Sequence, residues 1–382
     1  MTRPTSRRSG VQRGRPDPPR VVAVTGAAGV LGSLVVSHLG SEPGGPAVVA
    51  IDSTATVAPG TVNVADSTLG TGATGTPTAW RTADVRDPGF ARALDGVDVV
   101  VHTAWDQRPE VTAAERRRLN IDGTARVLDA AAGAGAARLV VVSSAMVYGA
   151  LPDNPELLTE DMPLRAPYDD SIVGDYVEVE RMVAEHCRRC PDMRVVVLRP
   201  VIVTGPGCDT VLTRHFEAPR LLTVRGESPN WQFVHIADLA AACALAAVAD
   251  VDGPLNVSPP GVITHADVER ITRMRRIELP ASLVFGAAER LHRAGVTGGP
   301  SAELTYIAYP WDVDASRLLA AGWRPEHDHE SALRVQVGIA RDQAMLAARR
   351  LGREDATRAA AGATIAALGT AAIVRRARRR RG

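Results

Sequence analysis

Short apolar runs alternate with segments of helical periodicity from residue 20 to about residue 200 of the chain. The run from Leu139 to Val142 is apolar at every position, which is typical of strands that are buried on both faces of a parallel sheet. The predicted strands are Arg20 to Val24, Ala47 to Ile51, Ala79 to Val85, Val97 to His102, Arg138 to Ser144 and Arg194 to Arg199. The predicted helices are a segment with Leu31, Val35 and Leu39 on one face, and the segments Pro88 to Leu94, Val111 to Ala134 and Ile172 to Arg189. This alternation predicts a Rossmann α/β fold with a doubly wound parallel sheet.

The same pattern divides the chain into four segments. Residues 1–19 are rich in Arg, Pro, Ser and Gly, and we interpret them as a disordered basic tail. Residues 20–200 form the predicted Rossmann domain, within which residues 53–78 lack periodicity and are predicted to be a long surface loop. The pattern loosens over residues 201–340, which predicts a smaller C-terminal α/β substrate lobe. Residues 341–382 hold the predicted terminal helix, an Ala/Gly-rich apolar run and an Arg tail.

Composition narrows the chemistry that the chain can carry. The net charge is +1 at pH 7, so the overall charge gives no indication of a nucleic-acid partner. The sequence contains no lysine, and all 44 basic residues are therefore arginine. The four cysteines match neither a disulfide framework nor the usual spacing of zinc ligands, and we predict no metal site.

A glycine-rich turn lies between the first predicted strand and the first predicted helix. Its glycines are Gly26, Gly29 and Gly32, in the segment TGAAGVLG. In this context the first glycine permits a tight turn, the second lets the backbone approach a pyrophosphate, and the third lets helix and strand pack closely. The free N–H groups at the start of the helix then bind the phosphates. The turn therefore predicts a dinucleotide site.

The second predicted strand is followed by Asp52, which lies 20 residues after Gly32. A carboxylate at this position binds the ribose hydroxyls of the adenosine half and repels a 2′-phosphate. The next residues, Ser53 and Thr54, supply no arginine that would accept such a phosphate. The sequence therefore predicts NAD as the cofactor, in preference to NADP.

Further segments occur in the order found in one family. They are ADVRD from residue 83, VVHTA from 100, NIDGTARVLDAA from 120, VVVSSAMVYG from 140, EDMPLRAPY from 160, VVVLRP from 195, FVHIADLA from 233 and AAGWRP from 320. With these motifs the chain resembles the extended short-chain dehydrogenase/reductases of the NAD-dependent epimerase/dehydratase kind over residues 20–340. The resemblance implies an NAD-binding enzyme that acts on a carbonyl, hydroxyl or nucleotide-sugar substrate.

The resemblance also implies roles for residues within these motifs. Asp84 and Val85 are expected to contact the adenine. Thr103 and Ala104 are expected to line the path of the cofactor's phosphates and ribose. Ser144 takes the place of the family's catalytic Ser or Thr. The other residues expected around the nicotinamide are Ser143, Arg199 and Pro200.

The family's catalytic pair is incomplete in this sequence. Family members use a Tyr as acid or base and, four residues later, a Lys that holds the nicotinamide ribose and lowers the pKa of the Tyr. The segment PYDDSI puts Tyr168 at the Tyr position and Ile172 at the Lys position. A second candidate, Tyr176, is followed four residues later by Glu180. We therefore predict Ser144 and Tyr168 as the polar groups at the reacting centre, with atypical catalysis.

Two classes of function follow from the missing lysine. Without a neighbouring cation, a Tyr keeps a pKa near ~10, and only about one molecule in a thousand is ionised at pH 7. One hypothesis is an enzyme whose catalysis departs from the family pattern. The other is a non-catalytic NAD-binding sensor or scaffold.

The carboxy-terminal tail is a candidate membrane contact of a protein that we expect in the cytoplasm. Residues 359–374 are uncharged and rich in Ala, and an Arg-rich run from Arg375 to Arg381 follows them. As a helix this apolar run would span about 24 Å, less than the roughly 30 Å of a hydrocarbon core. We expect either attachment of the Arg tail to anionic lipid at the inner face of the membrane or a solvated basic tail. No motif or aromatic platform accompanies the tail, so nucleic acid is not the expected partner.

Overall fold

Twelve strands and ten α-helices make up the fold in the computed structural model, which describes residues 19–54, 70–71, 77–108, 111–218, 220–293 and 301–350. The strands are β1 (Val21–Thr25), β2 (Ala47–Asp52), β3 (Gly70–Thr71), β4 (Pro77–Thr82), β5 (Val99–His102), β6 (Arg138–Val142), β7 (Arg194–Pro200), β8 (Ile202–Thr204), β9 (Leu221–Val224), β10 (Phe233–His235), β11 (Gly253–Val257) and β12 (Arg276–Leu279). The α-helices are α1 (Val30–Ser41), α2 (Ala113–Arg117), α3 (Thr124–Gly133), α4 (Ile172–Arg189), α5 (Val211–Arg214), α6 (Ile236–Val248), α7 (His265–Thr272), α8 (Ala281–Arg293), α9 (Ser316–Ala320) and α10 (His329–Arg350).

Seven parallel strands form the central sheet, in the order β11-β7-β6-β5-β1-β2-β4, and β3 adds a short antiparallel edge beside β4. The chain moves outward in one direction from β1 to β2 and β4, and in the other direction from β5 onward. The order therefore reverses between β1 and β5. In an open parallel sheet, ligands bind in the crevice at the carboxyl ends of the strands at such a switch point. The prediction of a doubly wound Rossmann fold is confirmed.

Alternate residues of the central strands point to two different cores. Val22 and Val24 of β1 belong to the core shared with α1 and α6. Ala23, between them, belongs to the core on the opposite face, which includes Val127 of α3 and Val179 of α4. Because helices cover both faces, these strands are apolar at every position rather than at every second one.

Part of the segment predicted to be the substrate lobe completes the central sheet. Strand β11 pairs in parallel with β7, with Leu255 opposite Leu198. Helix α6 packs against α1 on one face of that sheet. The Rossmann unit therefore extends beyond residue 200, because the chain returns to it after entering the smaller lobe. That lobe includes two parallel strand pairs, β8 with β10 and β9 with β12.

Several boundaries differ from the predicted ones, whereas α4 has the predicted limits. The helix predicted from Val111 to Ala134 is α2 and α3 joined by a π-helical turn at Arg118–Gly123. The segment Phe90–Leu94 is a 3₁₀ helix rather than an α-helix. Strand β3 lies within the segment predicted to be a surface loop. The terminal helix α10 begins earlier than residue 341, because the Asp328 carboxylate accepts a hydrogen bond from the backbone N–H of Ser331 (2.7 Å).

The predicted tails lie outside the part of the chain that the structure describes. These are residues 1–18 at the amino end and residues 351–382, which include the apolar run and the Arg tail. Within the described residues, no helix has both the length and the apolar character needed to cross a membrane.

Candidate active site

The glycine turn between β1 and α1 depends on close backbone contacts. Gly26 has a φ of 73°, and a Cβ atom there would lie 2.6 Å from the backbone nitrogen of Ala104. A Cβ atom on Gly32 would overlap the carbonyl oxygen of Gly26. Neither position therefore accepts a side chain without movement of the backbone. The turn brings β1, α1 and the segment after β5 together at the switch point of the sheet.

The amino terminus of α1 is open for phosphate binding. Its N-cap, Gly29, provides no side-chain hydrogen bond to the helix, and the first turn contains no acidic residue. The N–H groups of this turn therefore keep the partial positive charge that attracts anions. Asp52, at the end of β2, accepts hydrogen bonds from the backbone N–H groups of Ala28 (3.1 Å) and Thr54 (3.2 Å). These contacts hold a carboxylate beside the turn, as the ribose of NAD requires.

The residues expected along the adenine and ribose line the neighbouring strand ends. Asp84 follows β4 and forms an ion pair with Arg86 (2.6 Å). The hydrogen bonds from Arg86 keep the pKa of this carboxyl below its usual value, although burial opposes them. Val85 is buried and lies close to Gly123, where a Cβ atom would be 2.9 Å from the Val85 side chain. The Thr103 hydroxyl donates to the carbonyl oxygen of Thr25 (2.7 Å), which ties the end of β5 to β1.

A cavity of about 500 Å³ runs from the glycine turn to the end of β7. Of the predicted site residues, it is lined by Gly29, Gly32, Thr103, Ser143, Ser144, Ile172 and Pro200. The predicted residues outside its lining are Gly26, Asp52, Asp84, Val85, Ala104, Tyr168 and Arg199. The structure therefore brings the glycine turn and the serines to one cavity, with the adenine-side residues beyond its lining.

Buried hydrogen bonds fix the serines at the end of β6. The Ser143 hydroxyl donates to Glu180 of α4 (2.8 Å). Glu180 also accepts from Arg199 of β7 (2.9 Å), whose guanidinium in turn donates to the Tyr148 hydroxyl (2.7 Å). Burial lowers the pKa of Arg199, but its bonds to Glu180 outweigh burial and raise it. The Ser144 hydroxyl accepts from the backbone N–H of Met146 (3.2 Å) and caps the 3₁₀ helix Ala145–Tyr148.

Tyr168 lies outside the cavity, whereas the sequence predicted it at the reacting centre. Its side chain is 62% exposed, and its ring faces the Arg181 guanidinium at 5.9 Å. The reason is the start of α4, where the Ser171 hydroxyl accepts from the backbone N–H of Gly174 (3.1 Å). Tyr168 precedes this cap and lies in the loop, so the one-turn helical spacing to Ile172 does not apply.

Ile172 and Tyr176 are the residues of α4 that line the cavity. They lie four residues apart, which puts them one helical turn apart on the same face. The Tyr176 ring stacks on Trp105 with 4.8 Å between ring centres, and its hydroxyl donates to Gln107 (3.4 Å). Burial raises the pKa of Tyr176 above its usual value. This phenol is therefore un-ionised at neutral pH and is a poor base.

An ion-pair cluster holds α4 against the segment that follows β5. Asp175 is fully buried and binds Arg116 (2.7 Å) and Arg117 (3.0 Å). Asn120 of the π-helical turn donates to the same carboxylate (3.1 Å) and to the carbonyl oxygen of Asp106 (2.8 Å). These bonds anchor the part of α4 that contains Tyr176.

Sequence reasoning missed two acidic residues at this site. In the sequence, Glu180 stands out only as the residue four positions after Tyr176. Its partner Arg199 lies on a different element, β7, and no local pattern indicates the pairing. Glu303 lies on the 3₁₀ helix Ser301–Ile307 of the smaller lobe and lines the cavity. It belongs to a segment without clear periodicity, so no signal in the sequence identified it.

One group of possible metal ligands occurs in the described residues, although no metal site was predicted. It consists of His235, Asp238 and His327. The two imidazole rings stack with 4.0 Å between their centres, and Asp238 accepts from the backbone N–H groups of Glu326 (2.7 Å) and His327 (3.1 Å). These bonds hold the start of α6 to the segment before α10, and they give the cluster a structural role without an ion.

Comparison with known proteins agrees with this geometry. The model of the NAD dependent epimerase/dehydratase family matches residues 22–258. An uncharacterized protein of Mycobacterium tuberculosis is 31% identical over 321 residues, 81% of this chain and 81% of that protein. A dTDP-glucose 4,6-dehydratase of Streptomyces griseus is 37% identical over 182 residues, 45% of this chain and 51% of the dehydratase. The structure of a Thermus thermophilus UDP-glucose 4-epimerase with NAD matches with a TM-score of 0.60 and 22% identity, and the match covers 84% of this chain and 99% of the epimerase.

The switch-point crevice, the glycine turn and Asp52 define a dinucleotide-binding Rossmann protein. The family match covers more than half of the chain and includes these elements. The chain belongs to the NAD-dependent epimerase/dehydratase family. The prediction of NAD as the cofactor is confirmed at the level of this family.

Proposed function

We propose that the protein is an NAD-dependent oxidoreductase that interconverts a hydroxyl and a carbonyl group on a small substrate, without the Tyr–Lys pair of its family. The observation that carries this proposal is the cavity of about 500 Å³, which continues from the amino terminus of α1 to Ser143, Ser144 and Tyr176. The cavity therefore connects the turn expected to bind the phosphates with hydroxyl groups that could contact a substrate. Bound NAD would supply a hydride acceptor, and NADH a hydride donor, at this inner end.

Different residues of the chain would bind different parts of NAD and the substrate. The N–H groups after Gly29 would hold the pyrophosphate, and Asp52 would bind the adenosine ribose. Asp84 and Val85 would border the adenine. Thr103 and Ala104 would line the path of the phosphates and ribose, and Ser143 and Pro200 would lie beside the nicotinamide. Ser144 would orient the reacting oxygen of the substrate, because it lines the cavity and its hydroxyl is held by the backbone N–H of Met146.

The charges in the cavity favour an uncharged substrate over a nucleotide sugar. Two arginines line it in the described residues. Arg108 is paired with Asp106 (2.7 Å), and Arg116 is paired with the buried Asp175 (2.7 Å). A diphosphate is best bound by arginine forks that are available to its oxygens. The rest of the inner wall is largely apolar, with residues such as Val142, Met146, Ile172, Ile202 and Trp311.

A second candidate is a non-catalytic sensor or scaffold that binds NAD. It is favoured by the pair Ile172 and Tyr176, which brings no cation into the cavity from α4. In that case substrate turnover would be absent, whereas the glycine turn would still bind the cofactor.

Two measurements separate these candidates. NAD at 100 times its Kd is expected to stabilise the fold by about 2.7 kcal/mol, which raises the melting temperature. Turnover of benzyl alcohol and benzaldehyde, the uncharged probes, is then followed by NADH absorbance, and conversion of UDP-glucose, the nucleotide-sugar probe, by chromatography, because epimerisation regenerates NAD. Turnover of the uncharged probes supports the proposal. A melting shift without turnover of any probe favours the sensor, and turnover of UDP-glucose alone contradicts the proposed substrate class.

The contact of the Arg tail with an anionic membrane surface stays a prediction. Six arginines lie between residues 375 and 381, and each contributes about 1 kcal/mol near such a surface. Removal of residues 356–382 is expected to shift the protein from the membrane fraction to the supernatant in the presence of phosphatidylserine vesicles. The same fractionation of the full chain and the truncated chain contradicts the prediction.

A further inference from the structure

Three carboxylates line the cavity in the described part of the chain, and their partners differ. Asp106 pairs with Arg108 (2.7 Å), and Asp209 pairs with Arg214 (2.5 Å). Glu303 is buried, with 6% of its surface exposed, and no described residue forms a hydrogen bond or an ion pair with its carboxyl group. The carboxyl of Glu303, unlike the other two, is therefore available to a molecule bound in the cavity.

The surroundings of Glu303 raise the pKa of its carboxyl group toward neutral pH. Burial is the main cause that raises the pKa of this carboxyl, to about 7. The charge of Arg116 acts in the opposite direction, and that of Asp169, in the loop before α4, acts in the same direction as burial. The phenols of Tyr176 and Tyr306 also face this carboxyl, and burial raises their pKa values well above neutrality. Glu303 is therefore the group in this set that changes charge near neutral pH.

We propose that Glu303 is the acid–base catalytic residue of this enzyme and takes the place of the family's tyrosine. This inference rests on the proposed function, because it requires a substrate whose hydroxyl or carbonyl oxygen reaches the inner end of the cavity. Ser144 and Glu303 both line that cavity, one after β6 and the other on the smaller lobe. A substrate oxygen that contacts both would have one hydroxyl and one carboxyl as neighbours.

The proton and the electrons balance in both directions. In oxidation, the substrate O–H bond breaks and its proton goes to the Glu303 carboxylate, while the O–H electron pair forms the second bond of the carbonyl. The hydrogen on the carbinol carbon leaves with its electron pair to oxidised NAD, the family's cofactor. In reduction, protonated Glu303 returns its proton to the carbonyl oxygen, and the hydride comes from NADH.

The position of Glu303 suits it to this exchange better than either tyrosine. Acid–base catalysis is most effective when the pKa of the group lies near the working pH, and it contributes about 10²–10⁴-fold. Tyr176 is held un-ionised by burial, and Tyr168 lies outside the cavity. A carboxyl that is half ionised near neutrality accepts or donates a proton with no help from a lysine.

The first test measures the carboxyl itself and needs no substrate. The full chain is labelled with ¹³C at its side-chain carboxyl groups and titrated by infrared spectroscopy. Glu303→Gln is expected to remove a protonated-carboxyl band that disappears near pH 7. Asp312→Asn is the matched control, because Asp312 is a buried carboxyl outside the cavity whose pKa burial raises to about 6. A Glu303 band that titrates in the ordinary range of glutamate, near ~4.3, overturns the proposal.

The second test measures turnover and binding together. With the uncharged probes benzyl alcohol and benzaldehyde, Glu303→Gln is expected to lower kcat by about 10²–10⁴-fold. Its melting shift with NAD is expected to equal that of the unchanged protein, and Glu303→Asp is expected to restore part of the rate. Asp312→Asn is expected to keep the rate of the unchanged protein.

The rates of oxidation and reduction are expected to change with pH in opposite directions. Oxidation needs the ionised carboxylate, so its rate is expected to rise with pH through about 7. Reduction needs the protonated acid, so its rate is expected to fall over the same range. Glu303→Gln is expected to remove both steps. An active protein whose Glu303→Gln variant keeps the rate and the profile overturns the role of Glu303 alone, whereas a protein that binds NAD but turns over no probe overturns the proposed function as well.

Discussion

The two ends of the cavity depend on different kinds of contact. We call the end at the glycine turn the phosphate end, and the end at Ser144 and Tyr176 the reacting end. At the phosphate end, the fit depends on backbone contacts, because a Cβ atom on Gly26 or Gly32 would collide with the backbone of the turn or of the segment after β5. At the reacting end, the fit depends on side chains such as Ile172, Tyr176 and Glu303, which come from α4 and the smaller lobe. A site made from backbone tolerates few substitutions, whereas a site made from side chains can change its chemistry while the fold stays intact.

The residues for cofactor binding follow the family's pattern, whereas those for proton transfer depart from it. Cofactor binding uses N–H groups and one carboxylate, and all of these are in place. Proton transfer uses one side chain with a suitable pKa, and the environment, rather than the residue type, determines that pKa. A lysine is therefore dispensable if another titratable group lies against the substrate.

The largest effect is expected at the reacting end, in the ion-pair cluster that holds α4. Asp175→Asn leaves Arg116 and Arg117 without their buried partner, and it is expected to lower the free energy of unfolding by about 3–5 kcal/mol. Urea denaturation measures this change. Asp153→Asn is the control, because the pair of Asp153 with Arg165 is exposed to solvent and is expected to contribute little to stability. Equal effects of the two substitutions would show that the buried cluster does not anchor the helix.

The next effect tests the backbone contacts of the phosphate end. Gly26→Ala and Gly44→Ala both place a side chain at a positive φ, 73° and 74°, which costs about 1–2 kcal/mol. A Cβ atom on Gly44 has nothing within 4 Å, whereas that on Gly26 meets the Ala104 backbone at 2.6 Å. Gly26→Ala is therefore expected to destabilise the fold by about 1–3 kcal/mol more than Gly44→Ala and to weaken NAD binding. Thermal unfolding with and without NAD checks both, and similar losses in the two variants would refute the close packing of the turn.

A smaller effect concerns the carboxylate that selects the cofactor. Asp52→Ala removes charge-assisted bonds to the ribose, each worth about 1.5–3 kcal/mol, and is expected to weaken NAD binding by about 10–100-fold. NADP is expected to lose less, because the repulsion of its 2′-phosphate disappears. Calorimetric titration gives both values of Kd, with Asp95→Ala as a control at an exposed position. An unchanged Kd for NAD would contradict the role of Asp52.

The smallest effect is expected for the tyrosine that the sequence suggested. Tyr168→Phe alters an exposed side chain outside the cavity, so the free energy of unfolding is expected to change by less than about 0.5 kcal/mol. Turnover of the uncharged probes is expected to stay the same. A loss of turnover comparable with that of Glu303→Gln would return Tyr168 to the reacting centre.

The sequence predicted the phosphate end in more detail than the reacting end, for a physical reason. Gly26 to Gly32 and Asp52 lie close together along the chain or at the ends of adjacent strands, so local patterns describe them. Tyr168 and Ile172 appeared to form a helical pair, but the Ser171 cap starts the helix after Tyr168. Glu303 reaches the cavity only through the packing of the smaller lobe, which no local pattern encodes.

Because the chain returns to the central sheet through α6 and β11, the Rossmann unit is completed late in synthesis. Helix α1, whose amino terminus is proposed to bind the phosphates, is covered by α6, yet α6 begins more than two hundred residues later in the chain. During translation the cofactor helix therefore lacks its cover until the lobe-forming strands β8 to β10 have already left the ribosome. A partly made chain that ends at residue 200 lacks both α6 and the edge strand β11, so we expect NAD to stabilise the fold fully only after residue 257 has been added.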